Sequence, residues 1–120
     1  MNTKKIGEVW WYDIGTKTRP VVIIDEGDVL TEVDITISNV TSQKARGKYD
    51  VELKYWQEAG LKKPSVVRCG KLTTIENFKL KRSIGKLHPE DLFAVLETVA
   101  LRAQDNIEKV KARLVNNEEG

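Results

Sequence analysis

Apolar and polar positions alternate through most of this chain with a period of two, then switch once to steps of three and four. Ile6 to Asp13 is rich in aromatic and β-branched residues and predicts a first strand. Thr18-Arg19-Pro20-Val21-Val22-Ile23-Ile24 then carries four apolar residues in a row, the pattern of a strand buried on both faces. Pro20 is tolerated at its head, where no ladder bond is required. The polar connection between the two stretches is short, so they are expected to pair as a hairpin. After a turn at Asp25-Glu26-Gly27-Asp28, Val29, Thr31, Val33, Ile35 and Ile37 alternate with Leu30, Glu32, Asp34, Thr36 and Ser38 over ten residues, the clearest half-buried strand in the chain.

The pattern continues with Tyr49, Val51, Leu53 and Tyr55 as a further strand. Trp56 to Gly60 then reads as a helical turn closed by glycine, Leu61-Lys62-Lys63-Pro64 as a loop and Ser65 to Gly70 as a strand. A short turn near Glu76-Asn77 and a strand over about residues 80–87 complete the β part. From Pro89 the period changes: Leu92, Leu96, Val99, Ala103, Ile107, Val110 and Leu114 form one stripe on a helix from about 89 to 115. Pro89, Glu90 and Asp91 are start signals that suit the helix dipole. Such a helix is roughly 40 Å long, more than the width of a small barrel, so its second half needs a partner or stands in solvent. Residues 116–120 read as a frayed tail. The predicted fold is mainly β, a small barrel with a C-terminal helix, formed as one domain over residues 1–120, with 102–120 as helix extension and tail.

Composition narrows the chemistry. The chain is 40% hydrophobic and 32% charged, as in an ordinary globular domain. Its single cysteine, Cys69, excludes an internal disulfide framework, and with the single histidine, His88, it excludes Cys-rich and His-pair metal motifs. No metal or cofactor is expected. No apolar h-region follows Met1-Asn2-Thr3-Lys4-Lys5 and no run approaches a membrane span, so a cytoplasmic protein is expected. Charge is unevenly spread: residues 40–90 hold 12 Lys/Arg against 5 Asp/Glu, while both flanks are acidic. A basic middle of this size suits a polyanion through phosphate neutralisation, and equally a solvated lysine-rich face.

Arg19 stands at the mouth of a rigid strand, where a guanidinium is held in a fixed place and suits a phosphate; an ordinary surface arginine beside a turn reads the same way. Thr41 and Ser42, at a strand end, offer hydroxyl donors. His88, just before Pro89, reads as a helix-capping or surface residue rather than a base, and Cys69 as a small core residue. Trp10, Trp11, Tyr12, Tyr49, Tyr55 and Trp56 are either core or platforms for stacking bases.

Several stretches in order resemble the MazF/PemK family of toxin endoribonucleases from bacterial toxin–antitoxin pairs: Gly7-Glu8-Val9-Trp10, Arg19-Pro20-Val21-Val22-Ile23, Val40-Thr41-Ser42-Gln43, Ser65-Val66-Val67-Arg68-Cys69 with Thr74-Ile75, and Ile84-Gly85-Lys86-Leu87. The likeness covers about residues 6–101. It implies an SH3-like barrel of the CcdB/PemK type, a homodimer, metal-independent cleavage of single-stranded RNA, and a cognate antitoxin. By position it implies a catalytic set of Arg19, Thr41 and Arg68, with Lys17, Ser42, Gln43, Lys44, Arg46 and Lys71 as RNA-binding candidates. Two departures stand out. Gly70 occupies the place of a usual acid two residues after Arg68, and the loop before Arg19 is short. The competing readings are a CcdB-like protein-binding toxin and an RNA- or DNA-binding module without catalysis.

Overall fold

The computed structural model describes residues 4–27 and 34–119, with side chains described as far as 116. The elements are β1 (Glu8–Asp13), β2 (Thr18–Asp25), β3 (Asp34–Thr41), β4 (Asp50–Glu52), β5 (Val66–Glu76), a 3-10 turn (Asn77–Lys79), β6 (Leu80–Lys86) and α1 (Pro89–Glu119). The strands pair antiparallel in the order β4-β5-β3-β2-β1-β6. The first half of the predicted third strand, residues 28–33, lies outside the described residues.

β1 and β2 form the expected hairpin, from Val9 opposite Val22 to Asp13 opposite Thr18. Its turn is held by the Ile14 N–H donating to the Lys17 carbonyl at 3.0 Å and by the Asp13 carboxylate accepting from Gly15 N–H at 2.9 Å. Gly15 has φ +95°, which few other residues adopt at no cost. β2 is buried on both faces, as its apolar run predicts. Val22 and Ile24 join a core with Val9, Val40, Val67, Cys69, Leu87 and Val95, while Val21 and Ile23 join a second one with Ile35, Ile37, Ile75 and Leu80. β3 serves both cores by simple alternation, Ile35 and Ile37 facing the second and Val40, three residues on from Ile37, facing the first. Burial pushes the Cys69 thiol up to about 11, with the nearby Asp50 charge adding to it, which suits a packed residue rather than a nucleophile.

The sheet corrects the barrel expectation in one respect: it is not closed. β4 and β6 are its edges, and among the described residues no ladder joins them. Segment 53–61 lies against β6 instead, so close that a Cβ on Gly85 would sit 2.4 Å from the Ala59 carbonyl oxygen and one on Gly60 2.6 Å from that of Ile84. The predicted strand 49–55 stops at Glu52 because Asp91 of α1 takes the backbone N–H groups of Lys54, at 3.0 Å, and Tyr55, at 2.9 Å. The chain then turns helically and ends in paired bonds, Leu61 N–H to the Trp56 carbonyl and Gly60 N–H to that of Gln57, with Gly60 at φ +91°.

α1 is capped by His88, whose Nδ1 accepts from Glu90 N–H at 3.1 Å while the ring stacks on Tyr55 at 3.9 Å. Leu92, Leu96 and Val99 pack on the core, and Val95, absent from the predicted stripe, is fully buried among them; burying one such side chain is worth about 1.5–3 kcal/mol. Past Val99 the helix leaves the sheet, and Ile107, Val110 and Leu114 are exposed. The extension is tied back by Tyr49 Oη donating to Asp105 at 2.5 Å and by the Lys48–Asp105 ion pair at 2.8 Å. The hydrogen bond from Lys48, then that from Tyr49, holds Asp105 below the usual carboxylate range, and Asp105 in turn raises Lys48. The expected frayed tail is helical in backbone to Glu119. No helix among the described residues is long and apolar enough to cross a membrane.

Candidate functional site

Arg19 and Thr41 arrive at one place because β2 begins where β3 ends, the two strands being antiparallel neighbours. Both line a cleft of about 600 Å³ whose remaining walls come from Ser42 and Gln43 after β3, Lys62, Lys63 and Ser65 before β5, Trp11 on β1, and Arg82 and Ser83 on β6. Among the described residues no Asp or Glu lines it, while Arg19, Lys62, Lys63 and Arg82 do. The Arg19 side chain is exposed and makes no hydrogen bond or ion pair with any described residue. Thr41 Oγ1 accepts from Gln43 N–H at 3.1 Å, which fixes the turn and leaves the hydroxyl hydrogen free to donate. A free guanidinium fork and a free hydroxyl on one wall are donors suited to phosphate oxygens.

Arg68 stands behind this cleft rather than in it. On β5 it faces Asp50 of β4 directly in register, and its Nη1 donates to Asp50 Oδ2 at 2.7 Å. Both side chains are mostly buried, 20% and 11% exposed, so the pair is shielded from salt. Asp50 Oδ2 also accepts from Arg46 N–H at 2.8 Å. Gln43 Oε1 joins the two arginines, accepting from Arg46 Nη2 at 2.8 Å and from Arg68 Nη2 at 3.4 Å. Through Gln43 the Arg68–Asp50 pair is linked by hydrogen bonds to the Thr41 end of the cleft. Asp50 therefore brings a carboxylate beside Arg68 from the neighbouring strand, although Gly70 carries none.

Of the residues singled out from sequence, Arg19, Thr41, Ser42 and Gln43 meet in the cleft; Lys17, Lys44, Arg46, Arg68 and Lys71 do not line it. The residues that sequence reasoning missed are Lys62, Lys63, Ser65, Arg82 and Ser83. Lys62-Lys63 is a visible basic pair, read only as loop. Arg82 had no local signal: it reaches the site because β6 pairs with β1, placing it opposite Trp11 with its guanidinium 5.6 Å from the indole centroid. Among the described residues, no group of three His, Cys, Asp or Glu is placed to hold a metal ion.

Comparison with known proteins agrees with this architecture. An endoribonuclease in complex with its cognate antitoxin, from a mycobacterial species, superposes with a TM-score of 0.70 at 15% identity, over 82% of this chain and 93% of that one. The Mycobacterium tuberculosis toxin MazF-mt6 gives 0.63 at 24% identity, over 82% and 96%. A MazE-MazF structure from Deinococcus radiodurans gives 0.65 at 14% identity, over 79% and 89%. At these identities the likeness is one of fold. No curated protein matches the sequence. Residues 5–102 match the family described as the PemK-like, MazF-like toxin of type II toxin–antitoxin systems, and with most of its length inside that match the chain belongs to this family.

Proposed function

We propose that this chain is a toxin whose activity is metal-independent cleavage of single-stranded RNA, such as mRNA. The observation that carries the reading is the cleft itself: Arg19, whose side chain no described residue engages, lines it together with Thr41, further cations and no described carboxylate. RNA needs no metal for this chemistry, because its own 2′-OH can attack the adjacent phosphorus. As the 2′-oxygen bonds to phosphorus, the 2′-OH proton passes to solvent water; the bond to the 5′-oxygen of the next nucleotide breaks, leaving a 2′,3′-cyclic phosphate, and that oxygen takes a proton from solvent. Arg19 holds the non-bridging oxygens as the phosphorus becomes pentacoordinate, and Thr41 donates a second bond. Arg68, paired with Asp50, acts from outside the cleft by holding Gln43 at the Thr41 end. Arg19 is always protonated and so is a poor base.

The test is purified protein with a long RNA in excess EDTA. Cuts bearing 2′,3′-cyclic phosphate and 5′-OH ends are expected. A single deoxyribose placed at a mapped cut should block it. A requirement for Mg²⁺, or equal cutting of the deoxy substrate, overturns the mechanism. One observation favours a second reading: among the described residues, the cleft has no His, Asp or Glu to accept the 2′-OH proton. Binding of RNA without any cut would establish the non-catalytic module in place of the nuclease.

A cognate antitoxin and a homodimer belong to the same proposal, as does a single domain over the whole chain with residues 102–120 as an extension. Supporting the dimer are exposed Ile107, Val110 and Leu114, which continue the packed stripe of α1 beyond the sheet. Light scattering at tens of micromolar should give twice the 13.6 kDa chain mass; a monomer at that concentration counts against the dimer.

A further inference from the structure

The cleft at Arg19 and Thr41 does not end at Trp11. A second cleft of about 790 Å³ shares Trp11, Thr18 and Arg82 with it and runs along β1 and β6 to the 3-10 turn. Tyr12, Phe78, Lys79 and Lys81 line the new part. Among its described lining residues, the cations Lys79, Lys81 and Arg82 face one carboxylate, Asp13, which already accepts the Gly15 N–H of the hairpin turn. Phe78 is 61% exposed on the 3-10 turn, among the most exposed of the large apolar side chains. Neither Lys79 nor Lys81 is engaged by a carboxylate among the described residues. An exposed aromatic ring beside cations that no described carboxylate engages supplies the components of a surface that stacks bases and neutralises phosphates.

We propose that this second cleft is a binding track for the single-stranded RNA that flanks the phosphate held by Arg19. Phe78 is the stacking platform, Lys79 and Lys81 the phosphate partners, and Arg82 over Trp11 the join between the clefts. The assignment rests on the RNA reading of the first cleft and extends it. RNA is favoured over a protein occupant because the lining is cationic and continuous with the candidate phosphate site, whereas an apolar protein face would leave these ammonium and guanidinium groups desolvated. The track makes a long strand bind better than a short one.

Two fluorescein-labelled 2′-O-methyl oligoribonucleotides of mixed sequence, one of four and one of twelve nucleotides, test this with the full chain. The blocked 2′-oxygen prevents cleavage, so binding is read alone. The twelve-mer should bind the wild type more tightly than the four-mer does. Lys79→Ala with Lys81→Ala should reduce the twelve-mer's salt slope by about 1.4, from roughly 0.7 per cation on a single strand. The charge-matched control, Lys109→Ala with Lys111→Ala on the exposed helix, should not. Phe78→Ala should weaken the twelve-mer by roughly 5- to 100-fold, with a much smaller change for the four-mer. All three side chains are exposed, and far-UV circular dichroism checks that the variants fold. Wild-type affinity and slope in these variants overturn the track while leaving the first cleft's reading intact. So does unchanged oligonucleotide binding combined with altered sedimentation, which would make the surface a protein interface. Failure of wild type to bind either probe overturns both.

Discussion

Arg19→Ala is expected to lower the rate of RNA cleavage by about 10²–10³-fold, the usual cost of removing one preorganised donor from a developing oxyanion. The size of the effect follows from what the structure leaves around this side chain. No described carboxylate or carbonyl engages the guanidinium, so its charge is spent on nothing else until a phosphate arrives. The backbone beneath it is rigid, because Arg19 pairs with Tyr12 in the ladder at the head of the doubly buried β2. Arg19→Lys should recover only part of the loss, since an ammonium lacks the planar fork. Thr41→Ala should cost less than Arg19→Ala, because a neutral hydroxyl makes a weaker bond than a guanidinium. Single-turnover cleavage of one end-labelled RNA measures all three. An Arg19→Ala rate within a few-fold of wild type removes this arginine from the chemistry. Arg19 is exposed, so a large change in melting temperature is not expected and would signal a different role.

How much of this was legible in the sequence depended on whether the cause was local. The run Val21 to Ile24 announced burial on both faces because each residue's neighbours sufficed to show it. Pro89 after His88 marked the helix start for the same reason, and His88 does cap it. The end of β4 had no such signal. Tyr49 to Tyr55 alternates like a strand, but Asp91, separated by 36 residues from Tyr55, competes for the backbone and wins. Likewise the open edge between β4 and β6, and the meeting of Arg82 with Trp11, depend on pairings that no window of the chain contains. Within the site, Arg19, Thr41, Ser42 and Gln43 were legible because each sits at a strand end. Lys62 and Lys63 were not, because their placement depends on the turn that Asp91 holds. Gly70 suggested a site without a carboxylate near Arg68; the cross-strand register of Asp50 supplies one that spacing along the chain could not show.

Asp91→Ala is expected to be the most destabilising of these substitutions, by about 2–5 kcal/mol, since alanine leaves two backbone N–H groups unpaired in a partly buried place at about 1–3 kcal/mol each. Asp91 is only 3% exposed, and its two oxygens each satisfy one of those donors, Lys54 and Tyr55. Against a typical total of about 5–15 kcal/mol that is a large share, and the melting temperature should fall by about 10–20 °C. An asparagine side chain would offer a single acceptor oxygen to the same donors, so Asp91→Asn should fall between wild type and alanine. Urea unfolding followed by circular dichroism measures the series. The consequence reaches the cleft, because the turn that Asp91 holds leads directly into Leu61, Lys62 and Lys63, which form one wall. Below its melting point, Asp91→Ala should therefore bind RNA more weakly while retaining most of the rate of the bound complex, since Arg19 and Thr41 rest on other strands. An unfolding free energy within about 1 kcal/mol of wild type would show that water replaces the carboxylate at Lys54 and Tyr55 and that the helix does not fix this wall.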